Sequence, residues 1–177
     1  MIKNIVTLGG SNSQKSINKT LAEYVGDMIG NVELTKVDLN DYELPVFSID
    51  IENENGFPNA AIDLNEIINN ADGFVISLAE HNGAYSTAFK NAFDWLSRIE
   101  GKVWRDKPML LLSTSPGVRG GQTVLEIALG RFPYMGGNII GSMSFPSFYD
   151  NFKGGEINEG PLKVNVDKLV AKIKKAL

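Results

Sequence analysis

The stretch that decides the fold is Ile5-Val-Thr-Leu-Gly-Gly-Ser-Asn-Ser-Gln-Lys-Ser16, in which a short apolar run passes through two glycines into a turn rich in hydroxyl groups. Apolar residues at helical spacing follow it, from Ile17 to Ile29. This order predicts a buried strand, a turn and an amphipathic helix. The turn therefore lies at a helix N-terminus, where free backbone N–H groups and the positive end of the helix dipole favour a phosphate.

Four more segments have the character of strands. Residues 74–78, 109–112 and 138–143 are short apolar runs bounded by turn residues. An apolar run without alternation is typical of a parallel strand whose two faces are both covered by helices. Residues 32–39 alternate in part and carry three charged side chains, so this strand is expected at an edge of the sheet.

Apolar residues spaced three and four apart predict helices between these strands. The predicted helices cover residues 17–29, 58–70, 88–99, a segment starting at Thr123, and residues 166–173. Thr123 and Glu126 match a capping box. The alternation predicts one α/β domain over residues 1–177, with a five-stranded parallel sheet of order 2-1-3-4-5 and helices on both faces. The stretches rich in Gly and Asn, residues 53–56 and 151–160, are expected to be surface loops.

The composition excludes several classes of function. The chain has 177 residues, of which 43% are hydrophobic and 21% charged, as in an ordinary globular domain. A formal charge of −4 argues against nucleic acid as a partner. With no Cys and one His, His81, thiol chemistry, disulfides and two-His metal sites are excluded. No secretion signal and no apolar stretch of about 20 residues are present, so no membrane association and a cytoplasmic location are expected.

Ligands of an open doubly wound sheet bind outside the carboxyl ends of its strands. The turns expected there are residues 9–16, 79–86 and 113–121. The hydroxyls of the first turn either hold a phosphate or only cap the helix. This turn matches neither the GxGxxG nor the GxxxxGK[ST] pattern. It also resembles a nucleophile elbow that lacks its final glycine, so a serine hydrolase in which His81 reaches Ser11 is a further alternative.

The second turn and the helix after it carry a more specific pattern. Glu80-x-Asn82-Gly83 is followed, after six residues, by Lys90-Asn-Ala-x-Asp-Trp95, and the third turn contains Ser115-Pro-Gly-Val-Arg-Gly-Gly121. Together with the first turn, this order resembles the NADPH-dependent FMN reductase family over nearly the whole chain. The resemblance implies a flavodoxin-like three-layer fold, bound FMN and a homodimer or homotetramer. It also implies that NADPH or NADH reduces quinones, azo compounds, metal oxyanions or free flavin through the bound FMN.

The resemblance also implies which residues hold the cofactor. The residues expected at the FMN phosphate are Ser11, Ser13, Ser16 and Asn18; those bordering the isoalloxazine are Glu80, His81, Asn82 and Gly83; those closing its other side and shaping the nicotinamide approach are Ser115, Pro116, Gly117 and Gly120. The family usually has Arg at the position of Ser13, and Pro and Tyr at those of Ala79 and His81. We expect Lys15 to supply the missing positive charge as a point charge, without the bidentate geometry of Arg.

Three interpretations remain open at this point. A flavin-binding electron carrier or redox-responsive module without reductase activity is the alternative function, although carriers usually have a more acidic surface than −4. Trp95 lies off the main apolar stripe of its helix and belongs either to the interior or to a subunit interface. Arg119 either meets the extra phosphate of NADPH or is an exposed loop residue.

Overall fold

The computed structural model describes residues 2–177. The helices and strands are, in chain order, β1 (Lys3–Gly10), α1 (Ile17–Asp27), β2 (Val32–Val37), α2 (Ile49–Asn55), α3 (Asn59–Asn69), β3 (Gly73–Leu78), β4 (Glu80–His81), β5 (Ala84–Tyr85), α4 (Thr87–Ile99), β6 (Pro108–Thr114), α5 (Gln122–Arg131), β7 (Asn138–Phe145), α6 (Phe148–Asn151), β8 (Phe152–Lys153), β9 (Glu156–Ile157) and α7 (Pro161–Ala176). Short 3-10 turns at Leu39–Asp41 and Phe132–Met135 complete the described structure.

The central sheet has five parallel strands in the order β2-β1-β3-β6-β7. Counted among these five strands alone, this is the predicted order 2-1-3-4-5, so the flavodoxin-like α/β architecture is confirmed. β3 is buried along its whole length, whereas β2 buries only Val37 and forms one edge, as its charges indicated. The carboxyl ends of all five strands therefore lie at one rim of the sheet.

Two apolar layers cover the sheet because successive strand residues point to opposite faces. One face packs against α1 and α7, with Ile5, Val75 and Leu110 contributed by the strands. The other packs against α3, α4 and α5, with Val6 and Ile76 contributed by the strands. The result is three layers, and it places the N-termini of α1, α4 and α5 around the carboxyl rim.

Several local expectations were wrong. Residues 53–56 are not a loop but the end of α2, which Ser48 caps by accepting from the Asp50 N–H. Within residues 151–160 the chain forms a hairpin, β8 with β9. Thr123 and Glu126 do not form a capping box, because α5 begins at Gln122 and Thr123 already lies inside it. Among residues 2–177, no helix combines the length and apolar character needed to cross a bilayer.

Candidate functional site

The three expected turns meet at the carboxyl rim of the sheet around a cleft of about 220 Å³. The predicted residues that line it are Ser11, Ser13, Lys15, Ser16, Asn18, Glu80, His81, Ser115 and Pro116. The other predicted residues lie in the same turns without lining the cleft: Asn82, Gly83, Gly117 and Gly120. Four further residues line the cleft without having been among the predicted cofactor-binding residues, namely Ile17, Ala79, Thr114 and Tyr149.

The turn between β1 and α1 keeps several backbone donors free. Ser13 N–H donates to Ser11 Oγ at 3.1 Å, and Ser16 caps α1 by accepting from the Lys19 N–H at 3.1 Å. The N–H groups of residues 14, 15, 17 and 18 have no acceptor among residues 2–177. Unpaired N–H groups at a helix N-terminus form a site for an anion.

The Asn18 side chain fixes the floor of the cleft. It is 3% exposed, and its Oδ1 accepts from Ser77 Oγ at 2.7 Å and from the Thr114 N–H at 3.0 Å. Its Nδ2 donates to the Thr114 carbonyl at 3.0 Å. One side chain of α1 thus ties β3 to β6 where both strands end. Asn18 therefore faces the cleft mainly through the backbone of its helix turn.

Two lysines near the first turn have different surroundings. Lys19 forms an ion pair with Asp38, and this hydrogen bond raises the pKa of Lys19 above its usual value. Burial alone would raise the pKa of Asp38, but the hydrogen bonds from Lys19 and Asn40 hold that pKa below its usual value. Lys15 lines the cleft and takes part in no ion pair in the described part of the chain. Lys15 is therefore the lysine available to an anion in the cleft.

The second turn is a short hairpin, which the sequence interpretation missed. β4 pairs with β5, and Asn82 and Gly83 connect them with φ of 52° and 74°. Two positive φ angles at Asn-Gly are the signature of a type I′ hairpin turn, so the dipeptide itself was the available signal. Tyr85 anchors the hairpin against Phe89, 5.3 Å between ring centroids. Burial raises the pKa of Tyr85 to about 12, so this side chain stays neutral.

The third turn, residues 115–121, is held firmly by β7 and the segment after it. Ser144 Oγ donates to the Arg119 carbonyl at 2.8 Å, and the Ser147 N–H donates to the Gly117 carbonyl at 2.9 Å. Gly120 has φ of 56°, and a Cβ there would lie 2.7 Å from the backbone of Phe145. The structure thus gives Gly120 a packing role against β7. This turn forms a fixed wall of the cleft.

A larger groove of about 590 Å³ adjoins the cleft, and His81 lines both. Besides His81, the groove is lined by Asn12, Leu39, Asn40, Tyr42, Glu43, Leu44, Val46, Thr87, Ala88, Asn91 and Ala92. This lining mixes apolar side chains with amide and hydroxyl donors, and it includes neither Lys nor Arg. The outer wall is the segment of residues 42–48, which we call the strap.

Three side chains on one face of α4 hold the strap and the helix that follows it. Asn91 accepts from the Phe47 N–H at 2.8 Å and donates to the Pro45 carbonyl at 3.0 Å. Trp95 Nε1 donates to the same carbonyl at 2.8 Å. Arg98 makes a bidentate pair with Glu52 of α2 at 2.8 and 3.0 Å. The spacing of 91, 95 and 98 puts the three on one stripe of the helix.

The subunit-interface interpretation of Trp95 was therefore wrong. Its side chain is 0% exposed and packs edge-on against Phe47 with ring centroids 5.0 Å apart. The strap of the same chain covers it. In Lys90-Asn-Ala-x-Asp-Trp95, Lys90 and Asp94 form an exposed pair at 2.7 Å, while Asn91 and Trp95 shape the groove.

The described residues do not form the hydrogen-bonded Ser–His pair of a serine hydrolase. Ser11 Oγ accepts from the Ser13 N–H, and no hydrogen bond joins it to His81 within the described residues. A serine nucleophile needs a base within hydrogen-bond reach and a third group that orients the base. The cleft combines instead free N–H donors, one free lysine and two backbone walls, which suits an anionic group attached to a planar body.

Comparisons with known proteins agree with this geometry. The model of a family described as NADPH-dependent FMN reductase matches residues 3–150. A protein of Escherichia coli (strain K12) named quinone reductase is 34% identical over 121 residues, 66% of this chain and 62% of that protein. A 2-hydroxy-1,4-benzoquinone reductase of a Burkholderia species is 34% identical over 122 residues, 68% of this chain and 64% of that protein. The match thus spans less than two thirds of either relative.

A solved structure extends the likeness to the whole chain. It is a flavoenzyme, an NAD(P)H:(acceptor) oxidoreductase from Paracoccus denitrificans, with a TM-score of 0.76 and 25% sequence identity. The alignment covers 99% of this chain and 99% of that one. The fold is therefore similar from end to end.

Proposed function

Because the chain belongs to the NADPH-dependent FMN reductase family, we propose that it binds FMN and passes reducing equivalents from NADPH or NADH through it to a small acceptor. The observation that carries the proposal is the cleft in which free N–H groups and Lys15 meet two backbone walls. FMN supplies the hydride and electron chemistry when bound, so no acid, base or nucleophile of the chain has to react.

The residues present fit this cofactor. The N–H groups at the start of α1 and the Lys15 ammonium would hold the phosphate, with the Ser13 hydroxyl adding a donor. The hairpin of residues 80–85 would border one side of the ring, and residues 115–117 would close the other. A Cβ at Gly117 would meet nothing closer than Ser115 Oγ at 3.8 Å, so this wall leaves room. Fixed backbone donors near a ring that gains negative charge favour its reduced form.

The groove beside His81 supports an uncharged acceptor. Its lining contains Glu43 and neither Lys nor Arg, and the chain carries a net charge of −4. An anionic acceptor would find no Lys or Arg to pair with in the groove, and the net negative charge of the chain would repel it over roughly a Debye length. Leu44, Val46 and Ala88 offer apolar contact to a flat molecule, and Asn12 and Thr87 offer donors to its carbonyl oxygens. We therefore place quinones ahead of metal oxyanions and sulfonated azo compounds as acceptors.

A homodimer or homotetramer in the cytoplasm completes the proposal. Exposed apolar side chains between residues 46 and 62 support self-association: Val46 is 76% exposed, and Ile49, Phe57 and Ile62 are also exposed. Such side chains are candidates for an interface between copies of the chain. Sedimentation of the purified protein with and without FMN measures the assembly directly.

The decisive experiment is a visible spectrum of the purified protein with FMN added, followed by anaerobic addition of NADPH or NADH. We expect bound flavin that bleaches with a nicotinamide and recovers its colour with 1,4-benzoquinone faster than with chromate. Failure of the purified protein to bind added FMN contradicts the proposal. Bound FMN that dithionite reduces but neither nicotinamide reduces selects the electron carrier. Faster recovery with chromate contradicts only the acceptor assignment.

A further inference from the structure

We propose that Glu80 is a positioning residue: its carboxylate clamps the hairpin of residues 80–85 to the N-terminus of α5 and so sets the gap between the two walls of the flavin cleft. Glu80 Oε2 accepts from the Val124 N–H at 3.0 Å. The two residues are 44 apart in sequence. Glu80 is half-buried and lies in β4, directly before His81.

The N-terminus of α5 needs an acceptor from outside the helix. Its N-cap is Gly121, with φ of 75°, which has no side chain to offer. The Gln122 N–H donates to the Arg119 carbonyl at 3.0 Å, and the Leu125 N–H donates to the Gly121 carbonyl at 3.2 Å. The Val124 N–H lies between them and would be unpaired without Glu80. A carboxylate at this place both accepts the hydrogen bond and complements the helix dipole.

The side chains that a capping box would use are engaged elsewhere. Thr123 Oγ1 accepts from Arg119 Nη2 at 3.1 Å, and the Glu126 carboxylate accepts from Gln122 Nε2 at 2.9 Å. Neither side chain accepts from a backbone N–H of the first turn of α5. The cap of α5 is therefore supplied by another turn of the same rim.

This clamp couples both walls of the cleft. One end is the hairpin, whose tip lies near α5: a Cβ at Gly83 would be 3.9 Å from the Thr123 methyl group. The other end is the helix into which residues 115–121 lead, and β7 already fixes that turn. The hairpin has few other polar anchors, since the Tyr85 hydroxyl has no partner in the part of the chain that the structure describes. Loss of the carboxylate would therefore release mainly the hairpin.

The part of this inference that concerns FMN affinity rests on the proposed function. The hydrogen bond between Glu80 and Val124 can be tested without FMN. The test compares three variants: Glu80→Ala, Glu80→Gln and the matched control Glu126→Ala. The control removes a carboxylate from α5 but leaves the acceptor of the Val124 N–H in place. We expect Glu80→Ala to speed amide hydrogen exchange at Val124 in the FMN-free protein about tenfold, as one lost hydrogen bond to a charged group implies. Glu80→Gln, which keeps an oxygen acceptor, should stay within about threefold of the unmodified chain.

The FMN dissociation constant, from quenching of flavin fluorescence, is the second readout. It should rise about tenfold in Glu80→Ala, recover in Glu80→Gln and stay unchanged in Glu126→Ala.

A higher dissociation constant with unchanged Val124 exchange overturns the clamp and makes Glu80 a direct ligand. Faster exchange with unchanged FMN affinity overturns the coupling of the two walls. Failure of the unmodified chain to bind FMN contradicts the proposed function, and the exchange measurement then decides on the clamp alone.

Discussion

The turns before α1 and before α5 stand at the same rim, follow buried strands and enter helices, yet they are built in opposite ways. The turn of residues 11–16 leaves backbone N–H groups free and carries Lys15. In the turn of residues 115–121 the carbonyls of Gly117, Arg119 and Gly120 each accept hydrogen bonds from nearby residues. Its helix even receives its cap from Glu80. The turn before α1 is suited to take up an anion, whereas the turn before α5 is suited to stay rigid.

The largest expected effect comes from disturbing the rigid turn. Gly120→Ala forces an L side chain into φ of 56° and places its Cβ within 2.7 Å of the Phe145 backbone. The strained backbone and the clash together should lower the free energy of unfolding by roughly 3 kcal/mol. Urea denaturation of the FMN-free protein measures it.

The same turn offers a matched control. Gly117 has no positive φ, and a Cβ there meets nothing within 3.8 Å, so Gly117→Ala should change the free energy of unfolding by less than about 0.5 kcal/mol. Equal losses in the two variants would show that the contacts with β7 do not make this turn rigid.

A smaller and more selective effect is expected from the open turn. Lys15→Ala removes the free positive charge of the cleft, so the affinity for FMN should fall about tenfold, as expected for one charge-assisted hydrogen bond. Riboflavin, which has the ring without the phosphate, should bind equally well to both forms. Flavin fluorescence titration measures both ligands.

Two outcomes would contradict this role of Lys15. Unchanged FMN affinity would mean that the backbone N–H groups alone neutralise the phosphate. An equal loss for riboflavin would mean that Lys15 touches the ring or shapes the cleft. Lys153→Ala, an exposed lysine outside the cleft, serves as the control for net charge.

The smallest effect concerns the ion pair between Lys19 and Asp38, which lies beside the first turn. Since the pKa of Asp38 is lowered from 3.8, its pair with Lys19 stabilises the fold above that pH, and this stabilisation disappears as the pH falls through the lowered pKa. Since the pKa of Lys19 is raised from 10.5, the pair persists until the pH rises through that raised value.

Asp38→Asn should therefore cost about 0.5–1 kcal/mol of unfolding free energy at pH 7. The difference from the unmodified chain should vanish well below pH 3.8. Denaturation curves at several pH values between 2 and about 8 measure it, with the range chosen to bracket both states of the carboxyl. A difference that persists at the acid end would mean that Asp38 acts through its hydrogen bonds to Asn40 and not through charge.

Much of the fold was predictable because its signals are local. Unbroken apolar runs identified four of the five sheet strands, and the partly alternating, charged segment of residues 32–39 identified the edge strand β2. Ser16, one of the hydroxyls of the first turn, caps α1. The three turns followed from the rule that ligands lie at the carboxyl rim. Most of the residues expected in the cleft line it, because each turn is short and starts where a strand ends.

What escaped prediction depends on partners distant in the chain. The strap could not be predicted because it is held by Asn91 and Trp95, which lie 44 and 50 residues further along the chain than the groups they bind. The capping box at Thr123 was wrong because α5 begins at Gln122, and Glu80, distant in the chain, accepts from the Val124 N–H in its first turn. The hairpin at Asn82 and Gly83 is the exception, since its local signal was present, but the two residues were interpreted only as part of the border of the isoalloxazine.

Gly9 determines how deep the cleft is. A Cβ at this position would lie 2.5 Å from the backbone nitrogen of Lys19, so α1 rests directly on the end of β1. Restoring an ordinary carbon contact would lift the helix by about 1 Å, and its free N–H groups would rise with it. The absence of one methyl group at Gly9 thus sets the distance between the free N–H groups of α1 and the two walls of the cleft.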